Sequence, residues 1–564
     1  MQTYWLGKQR PKRQLDIAVL ILLLLAGSFL RMWNLGQSSF WVDEVNTVFA
    51  AESVVERGDF ALPSGMQYGR APLYTHSVAL TYRLLGVSEA TSRLSAALFG
   101  VLSILGIYVL GRALLDRWTG LAAAFFLTFS HFAVGWSRVT RMYTLLQLLT
   151  LIAAFCFIRG FESKKPSDDS GRSVENKSSL VERWSRVLGI SGVSIPWLAG
   201  CCMIVAVAIF SVHLLGVFLA AGLVTFIAGM AVITLLFETG SLRWQNKYVL
   251  ALIVSVVTGA AIWAAMPSLR ISVQQFLAYT PPWATGPSSA QRRAYLFDFL
   301  ISAERFPLAA FFSIGCVQVL TRRSKPGWLA LVLLSTPLAL LSVVFTHRVP
   351  TYLFNVYPFF LLIAAWGAVN LIRSEQIRLP SDTFWSRIRY RNGVAMLFFA
   401  VFLVSPWLRI TLHIPFQGDG ATNMAVGHDE WREASRRVLS AKQEGDLVIT
   451  SLPQVALYYG LTSDFGLNWN NLEQAREKEW RNADGRYADV YAGIPCILSL
   501  EELRSLIASH TSGWLVISRF HLDSPIVTPE DVRTFIHNDL GEPVLTARES
   551  VFVYRWGATP KGGA

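Results

Sequence analysis

The sequence predicts a polytopic α-helical membrane protein of about 11–13 spans that ends in a small α/β soluble domain. Three observations carry this. The 564-residue chain is 53% hydrophobic and 16% charged, whereas soluble domains run at roughly 45–50% apolar and 25% charged. Apolar runs near the length of about 20 residues that crosses a hydrocarbon core recur along the first three quarters of it. Beyond about residue 411 the composition turns polar with mixed charge.

The long runs lie near 15–35, 93–114, 140–161, 192–211, 213–237, 248–268, 294–320, 327–346, 352–373 and 393–411, with shorter ones at 71–86 and 118–136. The first follows Lys8, Arg10, Lys12 and Arg13 and has no small-residue cleavage site after it, so it reads as an uncleaved anchor with the amino terminus in the cytoplasm. The net charge of +12 is concentrated in short loops. Lys164, Lys165, Arg172, Lys177, Arg183 and Arg186 fall in 162–190, Arg322, Arg323 and Lys325 in 321–325, and Arg378, Arg387, Arg389 and Arg391 in 374–391. This is the positive-inside pattern, and it excludes nucleic acid as the reason for the charge. The same bookkeeping places 36–70, the turn-rich TPPWATGP of 270–293, HRVPT at 347–351 and everything after 411 outside. That corresponds to a multi-pass inner-membrane protein with an extracytoplasmic C-terminal domain. Between the outer loop 36–70 and the inner loop 162–190 the number of crossings must be odd, yet four apolar segments intervene. The run 71–86, which begins Ala-Pro, is the one expected not to cross. Of the five cysteines only Cys496 lies in the polar tail, so neither a disulfide framework nor a zinc spacing is present.

The division therefore falls at 1–411 for the membrane domain and 412–564 for the extracytoplasmic one. In the latter, helix-like EWREASRRVLSA, LEELRSLIASH and PEDVRTFIHNDL alternate with strand-like DLVITS, ALYYG, GWLVISRF and VFVYRWG, the alternation expected of an α/β domain. It carries no GxGxxG, P-loop or nucleophile elbow and reads as accessory.

The chemistry-bearing features sit elsewhere. FWVDEVNTVFAAE puts adjacent acids, Asp43 and Glu44, just past the first span. As structure they are first-turn acids of an amphipathic helix striped by Val45, Val48 and Phe49; ionisable groups at the bilayer that face a cavity are also the ones that function. YGRAPLY holds Arg70 before an X-Pro break, SRVTRMY holds Arg141 and Tyr143, and HRVPTYLFNVYP holds His347, Arg348 and Tyr352. His213 in FSVHLLG is a further candidate, and Trp41 and Trp283 lie on outer loops, where they can stack on a sugar. The loop parity brings three arginines and a carboxylate pair to one side of the membrane. A sugar on a polyprenyl phosphate departs from a phosphate, which asks for arginine or a metal but no strong acid; the attacking hydroxyl asks for one base. Neighbouring carboxylates suit a single inverting displacement better than a hydrolase with two flanking acids.

RMWNLGQSSFWVDEVNTV, Arg70-Ala71-Pro72-Leu73 and RLSAALFGVLSILGIYVLGRALLDRWTG, with Arg93, Gly100, Gly111, Arg112 and Gly120 at their spacing, resemble the GT-C integral-membrane glycosyltransferases. The branch is that of bacterial proteins similar to protein O-mannosyltransferases and the lipid A aminoarabinose transferase. The resemblance spans roughly 15–410 and is strongest up to 161. It implies a GT-C-like membrane domain, a polyprenyl-phosphate-linked sugar donor, a hydroxyl acceptor of unspecified kind, Asp43 as general base with Glu44 beside it, and Arg70, Arg141 and Arg348 facing the donor phosphate. Tyr143, His213 and Tyr352 are secondary candidates. Two departures stand out. Many relatives place Gln-Glu before the Arg-Met-Tyr element, where this chain has Val139-Thr140; a divalent metal as cofactor thus lacks a second acid. Ala71 also replaces the first proline of a basic-Pro-Pro-Leu form. The rival reading is a transporter or flippase of lipid-linked sugars, which needs the arginines but no base; inverted repeats of the kind transporters show are not visible in the sequence.

Overall fold

The computed structural model describes residues 10–161, 193–237, 247–278, 299, 306–322, 324–345, 349–373, 411–412, 414, 429–525 and 527–557. Among them, seven helices are long and apolar enough to cross a membrane: Gln14–Met32, Glu89–Leu114, Tyr143–Phe161, Ile195–Val212, Gly216–Leu236, Lys247–Ala265 and Lys325–Val343. Shorter apolar helices cover Leu308–Arg322 and Tyr357–Arg373. The loops 162–190 and 374–391, and nearly all of the expected span 393–411, lie outside the described residues.

The chain divides into two compact units. One comprises Met1–Trp33, Ala96–Ser137 and Met142–Ile414, the other Asn34–Ser95, Arg138–Arg141 and Pro415–Ala564. The second unit thus gathers the loop 36–70 and the turn 138–141 with the C-terminal residues, a grouping that a cut at 411/412 does not register.

In the first unit, α1 (Arg10–Met32) is tied to α5 (Arg117–Phe129) by one buried cation. The α5 helix stops at Ser130, whose hydroxyl instead caps the short α6 (His131–Trp136) by accepting from Ala133 N–H. Stopping there strands the last carbonyls of α5. Arg31, fully buried, donates to two of them, Leu127 O at 3.0 Å and Thr128 O at 3.3 Å, and also to Ser137 Oγ at 3.2 Å. A guanidinium at a helix C-terminus also meets the negative end of the helix dipole. Gly100 leaves room for this arrangement, since a Cβ there would sit 2.2 Å from Ser137 Oγ.

Two of the sequence's spaced glycines meet face to face. A Cβ on Gly111, near the end of α4 (Glu89–Leu114), would lie 2.8 Å from the Cα of Gly120 on α5. Close backbone approach through small residues is how apolar helices associate where no hydrophobic force separates them from lipid. The helices Phe306–Arg322 and Tyr357–Arg373 use the same device, with a Cβ on Gly367 falling 2.7 Å from Gly315 N.

In the second unit, α3 (Pro72–Leu85) has 14 residues, about 21 Å at 1.5 Å per residue and short of a hydrocarbon core of about 30 Å. The C-terminal part forms a mixed five-stranded sheet of β1 (Leu447–Thr450), β2 (Phe465–Gly466), β3 (Gly513–Ser518), β4 (Leu545–Ala547) and β5 (Val551–Trp556), in the order β2-β1-β3-β5-β4. The β1 strand pairs parallel with β2 and β3, while β5 pairs antiparallel with β3 and β4. Helices cover Trp431–Ala441, Leu500–Ser509 and Glu530–Asp539, as expected, and Ile449, Leu515, Ile517, Val532 and Ile536 fill the core beneath them. One expectation fails: ALYYG is not a strand but lies largely in the helix Pro453–Tyr458. So short an apolar run has no period to separate strand from helix, and Pro453 at the first helical position decides for helix.

Gly111→Val forces α4 off α5 at this contact and is expected to cost about 1–3 kcal/mol, read as a lowered unfolding temperature of the detergent-solubilised chain. An unchanged unfolding temperature would contradict the glycine contact.

Candidate functional site

The acidic pair opens α2 (Val42–Glu56). Glu44 occupies the third position of the helix, and its Oε2 accepts the Trp41 N–H at 3.1 Å, closing one half of a capping box. The other demands on Glu44 are larger. Arg93 grips it in bidentate fashion, Nε to Oε1 and Nη2 to Oε2, both at 2.9 Å, with both side chains almost wholly buried. Arg93 stands near the start of α4, where the helix dipole repels a cation, so this charge needs the carboxylate. Its remaining donors reach Leu35 O at 3.1 Å, Ser38 O at 3.0 Å and Ser39 O at 3.0 Å. Glu44 Oε1 also accepts the Thr140 N–H at 2.7 Å. One carboxylate thereby fixes the loop 35–39, the start of α2, the start of α4 and the turn 138–141.

That turn presents Arg141. Its Nη1 donates to Asp43 O at 3.2 Å and to Tyr68 Oη at 3.0 Å, and its Nη2 lies 3.3 Å from Asp43 Oδ2. Arg141 is 3% exposed and Asp43 34%. The two acids thus differ in kind: Glu44 is sealed inside the scaffold, and Asp43, oriented by Arg141, opens to solvent.

Arg70 completes the group. Burial works against its charge, but the neighbouring Tyr68 and Asp43 outweigh this and hold its pKa above the ordinary value. Its side chain is accessible to water. Next to it Ala71 has φ +51°, a left-handed conformation that costs a non-glycine residue and that a proline ring cannot adopt. The departure from a basic-Pro-Pro-Leu form is therefore a change of backbone at the residue following Arg70.

The α/β domain holds the same loop from its other side. Arg432 donates to Gly36 O at 3.1 Å, Gln37 O at 3.3 Å and Ser38 O at 3.3 Å, and pairs with Glu89 at 2.6 Å. Tyr459 Oη accepts the Phe40 N–H at 2.7 Å and donates to Glu89 at 3.2 Å.

Of the sequence-derived candidates, Asp43, Glu44, Arg70 and Arg141 are thus assembled within one unit. In the other unit Tyr143 packs against His213, with ring centroids 5.9 Å apart, and His213 Nδ1 accepts the Leu215 N–H at 3.0 Å. Tyr352 is half-buried in the 3-10 turn Pro350–Leu353. Arg348 lies outside the described residues, as do His347 and Trp283. Among the described residues no three His, Cys, Asp or Glu side chains converge in a way that could hold a metal ion. The sequence reading missed two arginines as partners of the acidic loop. Arg93 had a signal, being a lone cation in the first turns of a long apolar helix; Arg432, on an ordinary amphipathic helix, had none.

Arg432→Ala should release the loop 36–38, lower the unfolding temperature by the equivalent of about 1–3 kcal/mol and speed proteolysis within 34–41. Arg432→Lys keeps a charge for Glu89 but not the fork to three carbonyls, and should fall between the two. Wild-type proteolysis of the alanine variant would contradict this clamp.

A family model described as dolichyl-phosphate-mannose-protein mannosyltransferase matches residues 69–168. No curated protein matches the chain at the level of sequence. Among solved structures, ArnT from Cupriavidus metallidurans bound to undecaprenyl phosphate is similar at a TM-score of 0.56 and 13% identity, over 97% of this chain and 99% of that one. The archaeal oligosaccharyltransferase AglB from Archaeoglobus fulgidus, in complex with an inhibitory peptide and a dolichol-phosphate, is similar at 0.52 and 12%, over 90% of this chain and 70% of that one. The chain has the fold of these two membrane proteins, and over residues 69–168 it is similar to the dolichyl-phosphate-mannose-protein mannosyltransferase family.

Proposed function

We propose that the protein transfers a sugar from a polyprenyl-phosphate donor to a hydroxyl of an acceptor at the extracytoplasmic face of the membrane, with inversion at the anomeric carbon. The observation that carries this reading is the split between the two acids: a water-accessible Asp43 held by Arg141, beside a Glu44 fully engaged in the scaffold. The GT-C fold, the mannosyltransferase family match and the undecaprenyl and dolichol phosphates bound by ArnT and AglB support a lipid-linked donor.

Asp43 Oδ2 is held by Arg141, which leaves Oδ1 to take the proton of the acceptor hydroxyl. The hydroxyl oxygen then forms its bond to the anomeric carbon from the face opposite the phosphate, and that carbon's bond to the phosphate oxygen breaks. Negative charge grows on the leaving polyprenyl phosphate, where Arg70 stabilises it. A phosphate needs no proton to depart, so one carboxylate suffices. Glu44 positions this machinery without touching the substrates, and Arg141 acts chiefly through Asp43 and less on the phosphate. The orientation rests on the concentration of Lys and Arg in the loops read as cytoplasmic.

Asp43→Asn should lower transfer from a labelled polyprenyl-phosphate sugar about 10²–10⁴-fold in membranes, at an unchanged unfolding temperature. Undiminished turnover would sink the assignment, and a parent that moves the labelled lipid across the membrane without transferring its sugar would be a carrier. Arg70→Met should weaken binding of undecaprenyl phosphate about 10–100-fold, the equivalent of losing a hydrogen bond to a charged group; wild-type binding would remove Arg70 from the phosphate site.

A further inference from the structure

The α/β domain also delivers a side chain to the neighbourhood of Asp43 and Arg70. Its loop 489–493 is wound around a buried carboxylate: Asp489 Oδ1 accepts the N–H groups of Tyr491 at 3.0 Å and Ala492 at 2.6 Å, and Oδ2 accepts from Asn471 Nδ2. Ser64, in the loop that precedes Arg70, clips it in place by donating its N–H to Tyr491 O at 3.1 Å and its hydroxyl to Val490 O at 2.6 Å. Gly493 suits that approach, since it has φ +76°, which side-chain-bearing residues rarely adopt, and a Cβ there would crowd Ser64 Cα at 3.2 Å. Tyr491 packs with Phe49, Phe60 and Met66 on the cluster of Ala50, Leu62 and Tyr68. Its hydroxyl donates to Gln474 Oε1 at 3.2 Å, and the residue remains partly exposed. Burial pushes this phenol up to about 12, and the charges of Arg70 and Asp43 both act on it.

In an in-line displacement the sugar ring lies between the base and the departing phosphate. Tyr491 packs on the cluster that contains Tyr68, whose hydroxyl accepts from the same Arg141 that holds Asp43, and its loop is clipped to the segment leading to Arg70; it therefore stands on the side of the site where the ring lies. The phenol is rigid, with an apolar face, and its hydroxyl is already occupied by Gln474, so what it offers a ligand is a flat surface. We propose that Tyr491 is a stacking platform for the sugar ring of the donor, which makes the C-terminal α/β domain part of the sugar-binding site. This rests on the reading above in which Asp43 is the base and Arg70 meets the phosphate.

The test uses the full chain in detergent and compares its binding of undecaprenyl phosphate with that of a panel of undecaprenyl-phosphoryl hexoses and pentoses. The parent should bind at least one panel member more tightly than undecaprenyl phosphate. Tyr491→Leu keeps apolar bulk against Phe49, Phe60 and Met66 but loses the flat face; it should lose about 3–10-fold in affinity for that member. Tyr491→Phe should retain it, and both variants should bind undecaprenyl phosphate as the parent does. The proposal is overturned if Tyr491→Leu binds the sugar-bearing lipid as well as the parent, if both variants lose undecaprenyl phosphate binding equally, or if the parent gains nothing from any sugar. A parent that does not bind undecaprenyl phosphate at all, with Arg70→Met without effect, overturns the donor reading and this inference with it.

Discussion

The buried pair of Glu44 and Arg93 is the interaction on which the candidate site depends. Taking two charges out of water costs several kcal/mol per ion, and the pair holds only because the remaining valences are filled. Here they are filled by loop carbonyls on the arginine and by the N–H groups of Trp41 and Thr140 on the carboxylate. Those bonds come from three pieces of chain, the loop 35–39, the start of α2 and the turn 138–141. The cost of burying the charges is thus converted into a fixed relation among the loop 35–39, α2, α4 and the turn 138–141.

Asp43 inherits its position from that relation. It follows the capped N-terminus of α2 and meets Arg141 on a turn that Glu44 holds by its backbone. Arg432 and Tyr459 then brace the loop from the α/β domain, and Ser64 fastens the loop 489–493 to the segment that leads to Arg70. The accessory role that the sequence suggested for the C-terminal domain does not do justice to these contacts within one compact unit. The left-handed Ala71 adds a local constraint on where Arg70 can point.

Much of this was legible in the sequence. Long apolar runs, loop charge and the alternation after 411 are statements about burial and period, and these survive without knowledge of tertiary contacts. The acidic pair, Arg70 and Arg141 were recognisable because charge near a bilayer is costly and calls for a reason. The resemblance set Asp43 apart as the base, but the contacts that seal Glu44 were not legible. Both are first-turn acids favoured by the same helix dipole, and the distant Arg93 and Thr140, 49 and 96 residues away along the chain, seal one of them. ALYYG failed for the opposite reason, since its short apolar run carried too little periodicity to be decided locally. The Tyr491 loop was invisible because its importance arises from contacts with Ser64, more than 400 residues away along the chain.

A double-mutant cycle on Glu44→Leu and Arg93→Leu, read by unfolding of the solubilised chain, bears most directly on this account. Each single variant strands a buried charge, so each should be strongly destabilised, by about 3–5 kcal/mol. The double variant should be clearly more stable than the sum of the two losses allows, with a coupling of about 1–3 kcal/mol or more. Additive losses would mean that the two side chains act independently and that the buried pair does not hold the site together.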